Sequence, residues 1–151
     1  MAVKQPKDTT ITQDGASIKL VWGKSFSADR NKSFSDVQKF VDSESIRLMV
    51  PYTPMRNGLL QKGAVLGTVI GSGEIHYKIP YARYQYYGKL MVSSVTGSAF
   101  ATRGESKVLT EKDLTYNTAR HPLAQRLWFE TMKHNHKEQI LRGAAAIARR
   151  K

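Results

Sequence analysis

Five of the seven tyrosines crowd into one stretch, where Tyr77, Tyr81, Tyr84, Tyr86 and Tyr87 alternate with Lys78, Arg83 and Lys89. Aromatic rings set among cations can stack the bases of a single nucleic-acid strand. The same residues serve a protein interface, where tyrosine supplies a large apolar body and a hydroxyl that finds a polar partner. Tyr81, Tyr84 and Tyr87 share one face of a helix, so packing into a core or a subunit contact is the preferred expectation.

Other chemistry finds less material. His134-Asn135-His136 places two imidazoles at i and i+2, which leave a helix on different sides and cannot share a metal. The glycine-rich stretch Gly67–Gly73 lacks the lysine and following helix of a phosphate loop and reads as hairpin punctuation. Serines are scattered, and His76 and His121 have no partner nearby in sequence, so no acid–base–nucleophile set emerges. Without cysteine there is no disulfide, thiolate metal site or thiol nucleophile. The expectation is a non-enzymatic chain with no catalytic residues, no metal and no cofactor.

The elements that position these residues are read from periodicity. Residues 1–15 are polar and suggest a flexible, extended N-terminal arm. Ala16 to Lys24 alternates, with Ile18, Leu20 and Trp22 on one side, and predicts a strand. The polar stretch SFSADRNK reads as a loop, followed by a helix capped by Ser33 or Ser35 and stopped by Pro51 and Pro54. Leu59 to Ile70 reads as a turn leading into a strand, Gly71-Ser72-Gly73 as a hairpin turn, and Glu74 to Ile79 as its partner strand. Pro80 and Gly88 bracket a short helix. Residues 89–119 form an excursion, either a mobile loop or a long two-stranded hairpin. From about Pro122 onward the pattern is helical, with a bend or break between Thr131 and Lys137. Its small residues, Gly143 to Ala146 and Ala148, permit close helix approach. The fold class is therefore α+β: a small antiparallel sheet, a long helix in the N-terminal half and a C-terminal helix packed on it, and the excursion. Residues 16–151 read as one domain.

The chain has 151 residues with 24 Lys+Arg against 12 Asp+Glu, a net charge of +12. The excess grows along the chain, from +2 in residues 1–50 to +4 in residues 51–100 and +6 in residues 101–151. Such a chain attracts polyanions or acidic partners. Arg103, Lys107, Arg142, Arg149, Arg150 and Lys151 are the candidates for contact with DNA or an acidic protein, although cations at a helix C-terminus also suit its dipole. No apolar run is long enough to span a membrane, and the polar start, Met1 to Lys7, suggests no secretory signal.

Three stretches in order resemble the minor capsid protein family of tailed bacteriophages, related to neck and tail-completion components. They are Pro51–Leu60 (PYTPMRNGLL), Ile75–Gly88 (IHYKIPYARYQYYG) and His121–Glu138 (HPLAQRLWFETMKHNHKE). Asn57 stands where the family more often has threonine. The resemblance covers about residue 36 to the end, apart from 89–119. It implies a virion protein at the head–tail junction, assembled in the host cytoplasm and carrying no chemistry of its own. It implies a closed ring of copies, six first and twelve second, around the channel for genomic DNA, in contact with other connector and tail proteins. On this reading Tyr81, Tyr84, Tyr86, Tyr87, Trp128 and Phe129 anchor packing or interfaces. Arg83 makes charge-assisted contacts, Gly58 and Gly88 shape turns, and the excursion reaches a neighbour. The alternative is a basic nucleic-acid-binding module that contacts DNA phosphates, with affinity that falls steeply with salt.

Overall fold

The computed structural model describes residues 2–149, so Met1, Arg150 and Lys151 lie outside the described residues. The fold is α+β. Strands β1 (Thr9–Gln13) and β2 (Ala16–Leu20) precede the long helix α1 (Phe26–Met49), which runs into a 3-10 turn at Val50–Tyr52. Helices α2 (Leu59–Gly67) and α3 (Ala82–Tyr87) follow. Then come strands β3 (Lys89–Ser93) and β4 (Lys107–Asp113), and helix α4 (Trp128–Ala148). The antiparallel pairing is divided between two separate hairpins, β1–β2 and β3–β4, and the two long helices pack against each other.

The N-terminal arm, expected to be extended and flexible, is the first strand of a hairpin. Ile11 pairs with Ile18 and Thr9 with Leu20 across a turn at Asp14-Gly15. Its base is tied to α1. The Asn31 side chain accepts from the Val3 amide at 2.7 Å and donates to its carbonyl at 3.1 Å. Gln5 donates to the Gly23 carbonyl at 3.0 Å and accepts from the Ser27 amide at 3.1 Å.

The Gln5–Ser27 bond explains why α1 starts earlier than the serine caps suggest. First-turn amides need acceptors, and Gln5 supplies one from 22 residues upstream. The stretch expected as a loop, SFSADRNK, is thus helical apart from its Ser25 cap.

Two strand expectations are corrected together. Leu59–Gly67 is a helix, with Leu60, Gly63, Ala64 and Gly67 buried at i, i+3, i+4 and i+7. Residues 74–79 run against it without forming a strand. Thr68 Oγ1 accepts from the His76 amide at 3.1 Å and donates to the His76 carbonyl at 3.4 Å, so one side chain replaces a ladder. Gly63 and Gly67 leave room for Ile79 and the His76 carbonyl, where a Cβ would collide with them.

The short helix between Pro80 and Gly88 is present as α3. Gly88 closes it at φ +73°, its amide donating to the Tyr84 carbonyl at 2.9 Å. Gly58 caps the start of α2 at φ +77°. Both conformations favour glycine. The excursion is the two-stranded hairpin among its two expected forms, with Lys89 ion-paired to Asp113 at 2.9 Å.

α4 starts at Trp128 rather than at Pro122 and continues through 131–137 as one helix. Residues 121–127 are instead tethered to the turn after α1. His121 Nδ1 lies 2.8 Å from the Thr53 carbonyl, and the Gln125 amide donates to the Tyr52 carbonyl at 3.1 Å. The small residues do allow close approach, because the ring of Phe40 fills the space a Cβ on Gly143 would take.

Candidate assembly surfaces and an apolar groove

Trp128, 1% exposed, is the centre on which the elements converge. It packs with Leu48, Met49, Tyr52, Leu60, Ala82 and Met132. Its Nε1–H donates to the Tyr77 hydroxyl at 3.0 Å. The Tyr86 ring meets it edge-on, with centroids 4.9 Å apart, and the Tyr77 ring at 5.8 Å. Burial pushes the Tyr77 hydroxyl above its ordinary pKa, and the Trp128 bond works against that. Burial also raises Tyr86, with the Glu130 carboxylate and neighbouring tyrosines adding to it.

The tyrosine cluster divides differently from the expected face of Tyr81, Tyr84 and Tyr87. Ala82 and Tyr86, at i and i+4, are the pair turned to the core. Tyr84 is half-buried and lies with Tyr81 beside the base of the β3–β4 hairpin. Tyr87, 57% exposed, leans edge-on against Tyr86. The division follows from α3 lying across the start of α4, where Leu127 donates its amide to the Tyr86 carbonyl at 2.8 Å.

The His-Asn-His stretch proves to be a packing joint. Asn135 Nδ2 donates to the Tyr52 hydroxyl at 3.1 Å, and His136 Nε2 lies 3.1 Å from the same oxygen. Among the described residues no group of three or more His, Asp or Glu is placed to hold a metal.

An apolar groove of about 530 Å³ opens beside Trp128. Val41, Ile75, Ile79, Tyr86 and Phe129 line its walls, with exposed Arg83 at its edge. Asp42, only 3% exposed, holds one rim in place. Its Oδ2 accepts from the Gly71 amide at 2.7 Å and the Gly73 amide at 3.1 Å, and its Oδ1 from Gln38 at 2.7 Å. Sequence reasoning missed this residue. Its signal in the sequence is weak, because Gln38 and Ser45 share its face of α1 and make an acidic side chain there look like part of a solvated surface.

Two surfaces elsewhere are bare. All five residues of β1 and all five of β2 are exposed. Thr9, Ile11, Gln13, Ala16, Ile18 and Leu20 form one face, where Ile11 is 64%, Ile18 74% and Leu20 54% exposed. The tip of the β3–β4 hairpin leaves Val95 and Phe100 exposed, although it is internally braced. Glu105 bonds to Ser93 and to the Thr102 amide and hydroxyl, and these bonds hold its carboxyl below the usual range.

The candidate basic residues sit on separate elements. Arg103 is exposed at the second hairpin's tip, and Lys107 donates to the Ala99 carbonyl of its own hairpin at 2.7 Å. Arg142 and Arg149 are exposed near the end of α4, while Arg150 and Lys151 lie outside the described residues. Among the described residues no helix is long and apolar enough to cross a membrane. No family model matches the chain, and neither the curated proteins nor the solved structures compared with it give a match.

Proposed function

We propose that the chain is a structural component of the head–tail connector of a long-tailed bacteriophage, present as several copies in a ring around the DNA channel. The observation that carries this reading is the division of its apolar residues. Those in the three stretches that resemble the minor capsid family meet in one core: Tyr52 and Leu60 from the first, Tyr77, Ala82 and Tyr86 from the second, Trp128 and Met132 from the third. Motifs that build a core rather than a cleft of reactive groups suit a structural part. The two hairpins meanwhile carry uncovered apolar side chains, and a two-stranded hairpin is marginal alone in water. Such elements suit a subunit completed by its neighbours.

The test is to image phage particles that carry a tagged copy of the chain, and to weigh the purified chain by native mass spectrometry. Density at the head–tail junction with six copies, or twelve, is expected. A chain absent from particles that binds duplex DNA tightly at physiological salt, with affinity falling steeply as salt rises, overturns the connector reading in favour of a nucleic-acid module.

A further inference from the structure

We infer that the β1–β2 hairpin of one copy seats in the Trp128 groove of a second copy, making a head-to-tail contact. The inference rests on the ring reading above and names the surfaces that would build it. Three features of the chain support it.

The hairpin is tethered at its base, which limits where its strands project. Its base is pinned through Val3, Gln5 and Asn31, and the Trp22 ring packs on Phe26 at 4.9 Å. Beyond that base every strand residue is exposed. Its faces are distinct: Ile11, Ile18 and Leu20 lie on one side, and Thr10, Thr12, Ser17 and Lys19 on the other. A pinned base under an uncovered apolar blade calls for an apolar receptor.

The chain carries such a receptor, and no residue of its own hairpin lines it. The hairpin adjoins the first turns of α1, while the groove lies against Val41 and Ser45. The groove's lining on α1 runs from Gln38 to Met49, so at 1.5 Å per residue it begins roughly 18 Å along the helix from Phe26. A projecting element at one end of a rod and a receptor toward the other, on the same chain, define a heterologous contact. Contacts of that kind close into rings when the rotation between copies allows it.

The charges match as well. Asp14 stands at the hairpin's turn and Arg83 at the groove's edge, and among the described residues neither makes an ion pair. Asp42, the acidic group of the groove, is already committed to Gln38, Gly71 and Gly73 and does not neutralise Arg83. An incoming acidic turn with apolar strands behind it meets a free guanidinium with an apolar trough behind it.

The experiment uses the full chain in sedimentation velocity over a concentration series. Wild type is expected to grow in mass with concentration. Ile18→Asp and Arg83→Glu change exposed side chains, so both fold as wild type by circular dichroism. Ile18→Asp weakens association by about a hundredfold, because a carboxylate enters an apolar site without a partner. Arg83→Glu weakens it too, and adding Asp14→Arg to Arg83→Glu restores it. An equal mixture of Ile18→Asp and Arg83→Glu chains forms dimers and stops there, since one supplies the intact groove and the other the intact hairpin. Wild type that stays monomeric at its highest soluble concentration overturns the inference. So do oligomers indifferent to both variants, or a mixture that stays monomeric. If the chain is found at the head–tail junction while both variants assemble like wild type, the connector reading stands and this contact falls. If the mixture dimerises but particles lack the chain, the contact stands and the connector reading falls.

Discussion

Replacing Asp42 with alanine should unlatch one rim of the groove. The carboxylate accepts three hydrogen bonds, two from backbone amides of the Gly71–Gly73 turn and one from Gln38. Hydrogen bonds to a charged group contribute about 1.5–3 kcal/mol each. The exposed Gly73 amide recovers part of its share from water, and alanine removes the cost of burying the charge. A net loss of about 2–4 kcal/mol is expected. For a chain of this length that lowers the melting temperature by about 6–12 °C. Asp42→Asn keeps one acceptor for the turn, and Gln38 can rotate to present its oxygen, so about 1 kcal/mol is expected there. The assay is urea denaturation of the three chains beside native-state hydrogen exchange at the Gly71 and Gly73 amides. Exchange should accelerate in the alanine variant and only slightly in the asparagine variant. A loss below about 0.5 kcal/mol, the level of an ordinary surface change, together with unchanged exchange, would refute the latch.

Gly143→Ala should destabilise, although alanine gains about 1 kcal/mol of helix propensity over glycine, because the added methyl enters the Phe40 ring. Denaturation should show a net loss of about 1–2 kcal/mol, and Phe40→Leu should recover part of it in the double variant. Tyr77 predicts an alkaline weakness. Its raised pKa contributes stability that is complete below the unfolded tyrosine value of about 10 and is lost as pH rises through the folded value. Urea midpoints should fall above pH ~10, and Tyr77→Phe should flatten part of that slope. Tyr86 and Tyr116, also raised by burial, keep the rest. Tyr86→Ala should lower stability by about 2 kcal/mol through its packing on Trp128, whereas Tyr87→Ala, which removes only an edge-on contact with Tyr86, should cost about 0.5–1 kcal/mol.

The parts of the fold legible in the sequence are those set by local chemistry. Pro80 and Gly88 bracket α3 because each acts on its own dihedral angles, whereas the Ser/Thr/Gly-rich excursion left loop and hairpin open and only the structure shows the β3–β4 pairing. What stayed hidden depends on distant partners. The start of α1 is stabilised by Gln5, and the extended path of residues 74–79 by Thr68. Neither can be seen in a window of neighbouring residues. The spacing of Gly63 and Gly67 was ambiguous in another way. Glycine suggests a turn or bulge when read locally, but at i and i+4 it also marks a helix face that admits a close neighbour. Only the presence of Ile79 and His76 decides between them. The tyrosines show the same limit. Helical spacing groups Tyr81, Tyr84 and Tyr87, yet the side turned inward is chosen by where Trp128 lies. The groove was not legible at all, since its walls come from four separate segments.

The placement of the bare β1–β2 hairpin has a consequence for folding. The core lies where α2, α3 and the start of α4 meet the end of α1, and the β1–β2 hairpin contributes nothing to it. Each of its strand residues must therefore be ordered against a conformational entropy of about 1–2 kcal/mol, offset by ladder bonds, cross-strand pairs such as Ile11–Ile18 and a few exposed side-chain bonds. The pinned base limits where the blade points without supplying that difference. Order in the blade should follow from contact with a neighbour, so its folding and assembly are a single step. Hydrogen exchange separates this from an independently stable hairpin. In dilute chain, amides from Thr9 to Leu20 should exchange near the rate of an open segment, while those of α1 and α4 are protected. On assembly the hairpin amides should slow together. Hairpin amides already protected in the dilute monomer would show that the blade is stable alone, and its exposed isoleucines would then need no partner to account for its order.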